Sequence, residues 1–207
     1  MDYSAIVSNT KPSIALVVTL NKKGVAMGTG TGFVFSKKGI LVTCNHLVRD
    51  AGSIVIKFPE TEFVNAKVVI RDYEHDLALL KFDDDTKEPL ELGDVSQVKE
   101  GMEVIFSGYP LNFQEPVTHR GIISTIIKDA VGTTTYLIDG TVNPGNSGCP
   151  LMNEDGRVIG VVNATRRERG SLLEKIENMP VGALSLHGVD IVEIYSALIR
   201  NLQLGIG

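Results

Sequence analysis

A serine flanked by glycines lies in the segment Val142–Leu151, and its setting suits nucleophilic chemistry. Pro144 and Gly145 come before Ser147, Gly148 comes directly after it, and an apolar stretch follows. Glycine lets the backbone approach a ligand closely and adopt angles that other residues resist. Backbone N–H groups in such a turn can converge on one point and stabilise a developing oxyanion. The segment therefore suits acyl transfer if a base lies nearby, although by itself it is equally compatible with a Pro-Gly turn that carries an incidental serine.

Histidine is the side chain best suited to activate a serine near neutral pH, and the sequence contains four histidines. His46 comes shortly after the strand-like run 40–43, so we expect it at the rim of a barrel. His75 lies in a turn, His119 in a polar patch and His187 in a late turn. A surface or structural role is favoured for these three, which leaves His46 as the candidate base.

An acidic residue that could orient the imidazole stands at the start of the alternating run 76–81. A carboxylate at this position, Asp76, can hold a histidine in one tautomer and stabilise the imidazolium. An acid there can also do no more than end a strand. Asp72 is the nearest alternative, whereas residues 83–85 look like the solvated charges of a loop. Asp76 is therefore the preferred candidate.

Strands must position these candidates, because short β-branched and apolar runs alternate with Gly, Asn, Asp and Pro turns along the chain. The charged segment 83–89 begins the connection between two halves, which we place at residues 1–95 and 96–207. Apolar residues recur at helical spacing from 189 to 202, and a short helix is predicted over 2–8. The pattern predicts an all-β fold of two barrels with a C-terminal α-helix. Strands are predicted over 13–20, 33–35, 40–43, 53–58, 63–70 and 77–82 in the first half, and over 103–108, 117–127, 134–138, 150–152, 157–162 and 181–186 in the second.

The charge balance excludes several classes of function. Twenty Lys and Arg against 25 Asp and Glu give a net charge of −5, and no basic stripe stands out. We therefore expect neither nucleic acid nor a membrane as a partner. The glycine run 28–32 lacks the Lys-Ser/Thr of a phosphate loop, which favours close packing in a sheet over nucleotide binding. Since no histidine or cysteine cluster has metal-ligand spacing, we expect no metal and no cofactor.

Two features bear on the cellular compartment. Cys44 and Cys149 are the only cysteines, too few for the disulfide scaffold of a small secreted domain. The first residues, Met1–Ser4, show no basic region leading into an apolar core, and no run has the length of a membrane span. On these grounds we expect a cytoplasmic protein.

Three segments in the order histidine, aspartate, serine resemble the trypsin-like serine peptidases, most closely the HtrA/DegP-type branch. They are residues 31–46, 76–81 and 143–151, and the resemblance extends to 156–164. The order matches that of chymotrypsin rather than that of subtilisin or the α/β-hydrolases. The resemblance implies a chymotrypsin-like fold of two six-stranded antiparallel β-barrels. Many proteins of that branch also carry a PDZ domain, for which these 207 residues hold no counterpart.

The resemblance also implies a role for each site residue. His46 would be the general base, Asp76 would orient it, and Ser147 would attack the scissile carbonyl. The backbone N–H groups of Gly145 and Ser147, with Asn146, would form the oxyanion hole. In that branch the loop before the serine can relax into an inactive state, so regulated activity is a further expectation.

A substrate pocket is implied by the residues just before the serine and by the strand that follows it. These are Thr141 and Val142 on one side and Asn163, Ala164 and Thr165 on the other. No acidic residue is among them, so we expect a small or aliphatic residue, rather than Arg or Lys, before the cleaved bond. The strand 163–165 could also pair with an extended peptide through main-chain hydrogen bonds.

Two cysteines depart from the pattern of the family. Cys149 stands two residues after Ser147, where glycine is usual, and Cys44 stands two residues before His46. Because His46 and Ser147 must approach each other, the two thiols could lie near one another. A disulfide would need Cα atoms within about 7 Å. A redox-sensitive pair is thus a hypothesis, alongside the plainer role of a small buried hydrophobe for Cys149.

The leading functional prediction is a serine endopeptidase that acts through an acyl-enzyme on proteins or peptides, including unfolded ones. The main alternative is a protease-like fold whose oxyanion loop rests in an inactive state and which serves as a peptide-binding or chaperone module. A non-peptidase esterase is a third reading. Assembly into a homo-oligomer is left open by the sequence.

Overall fold

A computed structural model describes residues 2–128, 133–164, 185–186 and 189–190. Two compact units can be distinguished, residues 1–164 and residues 165–207. The first unit begins with helix α1 (Ser4–Thr10), close to the helix predicted over 2–8, and a 3-10 turn (Lys11–Ser13) leads into the first strand. Among the described residues, no helix has the length and apolar character needed to cross a bilayer.

Six antiparallel strands close into a barrel in the order β1-β2-β3-β6-β5-β4. Strand β1 has buried residues on both faces, and its side chains alternate between two cores. Ala15 and Val17 point into the barrel, while Ile14 and Leu16 pack with Tyr109 and other residues from the second sheet. The barrel therefore shares a core with the second sheet along this strand. The strands are β1 (Ile14–Leu20), β2 (Ala26–Ser36), β3 (Ile40–Cys44), β4 (Ser53–Lys57), β5 (Val64–Asp72) and β6 (Leu77–Phe82).

Five antiparallel strands form the second sheet of the same unit, in the order β11-β10-β7-β8-β9. Its own core contains Phe106, Ile123 and Leu151 together with Cys149. Two 3-10 turns, Val95–Gln97 and Pro110–Asn112, lie before and after β7. The strands are β7 (Glu103–Gly108), β8 (Val117–Lys128), β9 (Thr134–Gly140), β10 (Pro150–Met152) and β11 (Val158–Val161).

The β-rich architecture expected from the sequence is confirmed, with one closed six-stranded barrel and a second antiparallel sheet. Strands β6, β7 and β10 have the predicted bounds. The second sheet has five strands among the described residues rather than the six predicted. Of the predicted strand 181–186, only Ser185–Leu186 are described, and they pair with Val189–Asp190 in a separate two-stranded sheet. The division of the chain at residues 95 and 96 stays a prediction.

The second unit corrects the start of the predicted C-terminal helix. Val189–Asp190, its first two residues, form the short strand β13, which pairs with β12 (Ser185–Leu186). In the sequence, Leu186 and Val189 flank a His-Gly pair, which is compatible with a hairpin, but the prediction gave more weight to the helical spacing of the apolar residues. The remainder of the predicted helix, 191–202, lies outside the described residues.

Candidate active site

His46 lies on a one-turn helix, α2 (Asn45–Val48), that begins where β3 ends. The guanidinium of Arg71 on β5 stabilises this turn, because it donates to Asn45 Oδ1 and to the carbonyl of Val48, both at 3.2 Å. The sequence placed His46 at a strand end, and the structure adds the helical turn. The turn presents the imidazole at the edge of the barrel, with its side chain 26% exposed.

Asp76 occupies the turn before β6 in a left-handed conformation, with φ of 57°. This region is unfavourable for most side chains, but Asp and Asn tolerate it best after glycine. Strand pairing fixes its position, since Cys44 on β3 lies opposite Leu77 on β6. Because the pairing is antiparallel, Asn45, which follows Cys44, lies opposite Asp76, which precedes Leu77, and the Asn45 N–H donates to the Asp76 carbonyl at 2.9 Å.

The carboxylate of Asp76 is 4% exposed and is satisfied by three hydrogen bonds. Its Oδ1 accepts from the backbone N–H of His46 at 2.8 Å. Its Oδ2 lies 2.6 Å from His46 Nδ1 and accepts from Asn163 Nδ2 at 2.8 Å. Because the carboxylate of Asp76 acts as an acceptor, the imidazole nitrogen that faces it, Nδ1, is the one that carries the hydrogen. Nε2 is then the nitrogen that can accept a proton.

The alternative acid, Asp72, is used elsewhere. Its Oδ2 lies 2.7 Å from the ring of His75, and its Oδ1 accepts from the backbone N–H groups of Glu74 and His75. The hydrogen bond from the backbone N–H of His75 is the main cause that lowers the pKa of Asp72, and the hydrogen bond with the His75 ring lowers this pKa further. Asp72 and His75 therefore form an exposed local turn, and the structure brings Asp76 to His46.

Ser147 meets the imidazole from the second sheet. Its Oγ lies 3.2 Å from His46 Nε2 and accepts a hydrogen bond from the backbone N–H of Ala164, also at 3.2 Å. Gly148, the next residue, has φ of 89°, and a Cβ on it would lie 1.9 Å from the carbonyl oxygen of Thr31. Only glycine fits there, and this close approach sets the serine against the first barrel.

Thr31, which sequence reasoning did not single out, ties the serine loop to β2. Its N–H donates to the Ser147 carbonyl at 2.8 Å, and its Oγ1 donates to the Gly145 carbonyl at 2.8 Å. The same Oγ1 accepts from the N–H of Tyr109 at 3.0 Å. Close packing in a sheet was predicted for the glycine run around Thr31, and Gly32 confirms it, since a Cβ there would lie 2.9 Å from the backbone carbonyl of Val42 on β3. The position of Thr31, a polar residue between Gly30 and Gly32, was the signal in the sequence that could have pointed to this role.

The loop before the serine has a defined backbone direction. The Pro144 carbonyl accepts from the N–H of Leu111 at 2.9 Å, and no peptide bond in the described residues is cis. In a trans peptide the N–H points opposite to the carbonyl, so the N–H of Gly145 points away from Leu111. The N–H of Asn146 donates to the Asn143 carbonyl at 3.0 Å. Within the described part of the chain, no acceptor contacts the N–H of Gly145 or of Ser147.

The residues predicted to line the substrate pocket have different surroundings. Thr141 is exposed and Val142 is half-buried against the core of the second sheet. The amide of Asn163 contacts Asp76, and the N–H of Ala164 contacts Ser147 Oγ. Thr165 lies outside the described residues. The pocket role of these five residues stays a prediction.

Both cysteines lie beside the site and are buried thiols. Cys44 Sγ donates to the carbonyl of Val162 at 3.5 Å, and Cys149 Sγ donates to Asn146 Oδ1 at 3.8 Å. Burial raises the pKa of the Cys149 thiol, and the nearby Cys44 adds to that rise. A thiol held protonated in this way is a poor nucleophile, which fits the role of a small hydrophobe expected for Cys149.

Comparison with known proteins agrees with this geometry. The trypsin-like peptidase domain matches residues 30–161. A probable periplasmic serine endoprotease, DegP-like, from Pseudomonas putida strain W619 is 38% identical over 140 residues, which are 66% of this chain and 29% of the relative. The chain thus spans about three tenths of the length of that relative.

Solved structures give the same result. The HtrA-type protease AlgW with a tripeptide superposes with a TM-score of 0.69 at 30% identity, over 78% of this chain and 54% of that one. The serine endoprotease from Yersinia pestis gives a TM-score of 0.68 at 27% identity, over 78% and 57%. These proteins share the fold that positions His46, Asp76 and Ser147 here.

The cytoplasmic location expected from the sequence was wrong. The relatives from Pseudomonas putida and Hahella chejuensis, 38% and 37% identical, are both named periplasmic endoproteases. The expectation rested on the first few residues and on the cysteine count, and neither feature decides the compartment of this kind of protein.

Proposed function

Because the chain belongs to the trypsin-like peptidase family, we propose that it is a serine endopeptidase that hydrolyses peptide bonds through an acyl-enzyme. One observation carries the proposal: the imidazole of His46 lies between the carboxylate of Asp76, at 2.6 Å, and the hydroxyl of Ser147, at 3.2 Å. These distances are within the reach that proton transfer and orientation require.

In this mechanism His46 Nε2 takes the proton of Ser147 Oγ while the oxygen attacks the scissile carbonyl carbon. The imidazolium is stabilised by Asp76 and then gives its proton to the leaving amine. A water molecule, activated by the same nitrogen, hydrolyses the acyl-enzyme and returns the proton to Ser147. The buried position of Asp76 supports this role, since a fixed carboxylate favours the imidazolium without solvent reorganisation.

The oxyanion of the tetrahedral intermediate would be held by the N–H groups of Gly145 and Ser147. Both lack a competing acceptor among the described residues, whereas the N–H of Asn146 is already used within the turn. We therefore assign two donors to the hole and leave Asn146 as a turn residue. Loss of one such donor lowers turnover by about 10²–10³ in comparable enzymes.

Proteins and peptides with a small or aliphatic residue before the cleaved bond are the proposed substrates. Support comes from the absence of an acidic side chain at Thr141 and Val142 and from a solved relative, which is an HtrA-type protease with a tripeptide. An extended substrate would pair with the backbone at Asn163 and Ala164. From the names of the relatives, we propose the periplasm as the compartment.

Labelling with a fluorophosphonate and cleavage of unfolded casein test the proposal together. Wild type should label and cleave, Ser147→Ala should do neither, and Ser53→Ala, a change at an exposed serine on β4, should match wild type. If wild type labels no better than Ser147→Ala and leaves casein intact, the chain is not a peptidase. Ester turnover without cleavage of any peptide bond would point to an esterase instead.

A peptide library tests the specificity separately. Cleavage should occur after Ala, Val and similar residues, because none of the residues predicted to line the pocket carries a charge that could pair with Arg or Lys. A cleavage profile dominated by basic residues would overturn the specificity and leave the mechanism intact.

A further inference from the structure

A third side chain with metal-binding chemistry lies beside His46 and Asp76. The potential ligand atoms of Cys44, His46 and Asp76 are all within 4.8 Å of one another. Cys44 is the last residue of β3 and His46 lies two residues later on α2. The pairing of Cys44 with Leu77 brings the residue before Leu77, Asp76, alongside them. Sequence spacing alone shows only the pair Cys-x-His, which is why no metal site was expected. The fold supplies the third ligand.

We propose that a zinc ion, or another thiophilic divalent ion, binds to Cys44 Sγ, His46 Nδ1 and an oxygen of Asp76 and thereby inhibits the enzyme. Thiolate, imidazole and carboxylate are the three ligand types that zinc prefers in proteins. Nδ1 is the coordinating nitrogen because it faces Asp76, while Nε2 faces Ser147. Three protein ligands leave one position of a tetrahedral ion for water.

The ion requires a small movement of the imidazole. Nδ1 and Oδ2 are 2.6 Å apart, whereas zinc bonds of about 2.0 Å to each atom at a tetrahedral angle separate them by about 3.3 Å. Cys44 is 1% exposed and Asp76 4%, so both are fixed by packing. His46 is 26% exposed and sits at the barrel edge, so the ring is the ligand that can move. The ion enters from that edge.

Binding redistributes two protons. The Cys44 thiol loses its proton to solvent. The metal displaces the proton on His46 Nδ1 into solvent, and Nε2 takes up a proton from solvent. The imidazole stays neutral, and one proton is released for each ion bound. Nε2 then carries a hydrogen toward Ser147 and cannot accept the serine proton.

The inhibition rests on the proposed catalytic role of His46, but the binding does not. Cadmium is a suitable probe, because a cadmium–thiolate bond gives a charge-transfer absorption in the ultraviolet that a histidine or carboxylate ligand does not give. Ser147→Ala protein keeps all three ligands and cannot digest itself. Titration of this protein with cadmium should give the absorption at one equivalent, with proton release in a weakly buffered solution.

Zinc inhibition of casein cleavage provides the second measurement. Each variant is compared with its own metal-free rate. Cys44→Ser should raise the inhibition constant at least tenfold, and Cys149→Ser, which changes the other buried thiol, should alter it by no more than about twofold. The magnitude follows from the loss of one ligand from a three-ligand site.

The outcomes separate the two proposals. Equal inhibition of wild type and Cys44→Ser would place the metal elsewhere, for example on Nε2, and would overturn the site. Cadmium absorption that persists in Cys44→Ser/Ser147→Ala protein would do the same. If Cys44→Ser does not fold, His46→Ala in the Ser147→Ala background replaces it, and undiminished cadmium affinity there overturns the site. Binding without any peptidase activity in wild type would retain the site and reject the proposed function.

Discussion

The side-chain amide of Asn163 and the imidazole of His46 bind the same carboxylate oxygen, Asp76 Oδ2, at 2.8 and 2.6 Å. Asn163 lies 87 residues after Asp76 and next to the residue whose N–H contacts Ser147 Oγ. It therefore joins the serine side of the site to the histidine side. The sequence predicted that Asn163 lines the substrate pocket, which stays a prediction, and this contact indicates that Asn163 positions Asp76.

Replacement of Asn163 by alanine should lower kcat about tenfold and leave KM nearly unchanged, because a residue that orients Asp76 acts on the transition state more than on substrate binding. Steady-state kinetics on a small-residue peptide measure both constants. Asn65→Ala, at an exposed asparagine on β5, is the matched control and should behave as wild type. A raised KM with an unchanged kcat would instead assign Asn163 to the pocket alone.

Gly145 should not tolerate a side chain. Its φ is 100°, and a Cβ would lie 2.3 Å from the Tyr109 carbonyl. In Gly145→Ala the loop must move, so the N–H that we assign to the oxyanion hole is displaced. We expect kcat/KM to fall by about 10² or more, the effect of losing one oxyanion donor.

Gly24→Ala is a control that separates the effect of placing a side chain at positive φ from the effect of the steric contact that a side chain would make at Gly145. Gly24 also has positive φ, 77°, but nothing lies within 4 Å of its added Cβ. This change should cost about 1–2 kcal/mol of stability and leave kcat/KM unaltered. If Gly145→Ala retains wild-type turnover, the loop does not form the hole in the way proposed.

The two thiols should be protected in the native protein. Cys44 and Cys149 are both buried, and burial raises the pKa of Cys149. A thiol reagent such as Ellman's reagent should therefore react slowly under native conditions and with two equivalents in denaturant. Fewer than two thiols in non-reducing denaturant would show that the cysteines form a disulfide, as the sequence hypothesis of a redox-sensitive pair requires.

The catalytic candidates could be found from the sequence because each belongs to a short segment with its own signature. His46 follows a strand, Asp76 starts an alternating run, and Ser147 lies between glycines. The strands were found for a related reason: apolar residues alternate with polar ones wherever one face of a sheet is buried. Neither signal depends on contacts between distant parts of the chain.

The features that the sequence missed all depend on such contacts. Thr31 reaches Gly145 across 114 residues, and Cys44 meets Asp76 only because β3 and β6 pair in one register. A shift of that register by one residue would turn the side chains of a strand to the other face and separate the ligands. Sequence spacing carries no information on register between strands that are far apart along the chain.

His119 makes the stability of the protein depend on pH. It lies on β8 with its ring stacked on Phe106, the centroids 5.2 Å apart. Its Nε2 is buried, and the described residues offer that atom no hydrogen-bond partner. Burial lowers the pKa of His119 below its usual value of 6.5, since a proton on Nε2 would be charged and unpaired.

The unfolded chain therefore binds a proton at His119 at a higher pH than the folded chain does. The contribution of the neutral ring to stability is fully present above pH 6.5 and decreases as the pH falls through that value toward the lower folded-state pKa. We expect the free energy of unfolding in urea to fall between pH 7.5 and pH 5.5, and we expect the fall to be smaller in His119→Gln. His75→Gln, which alters an exposed histidine, is the control and should not reduce the fall. An equal pH dependence in wild type and His119→Gln would show that the ring is solvated in the folded protein, contrary to its packing against Phe106.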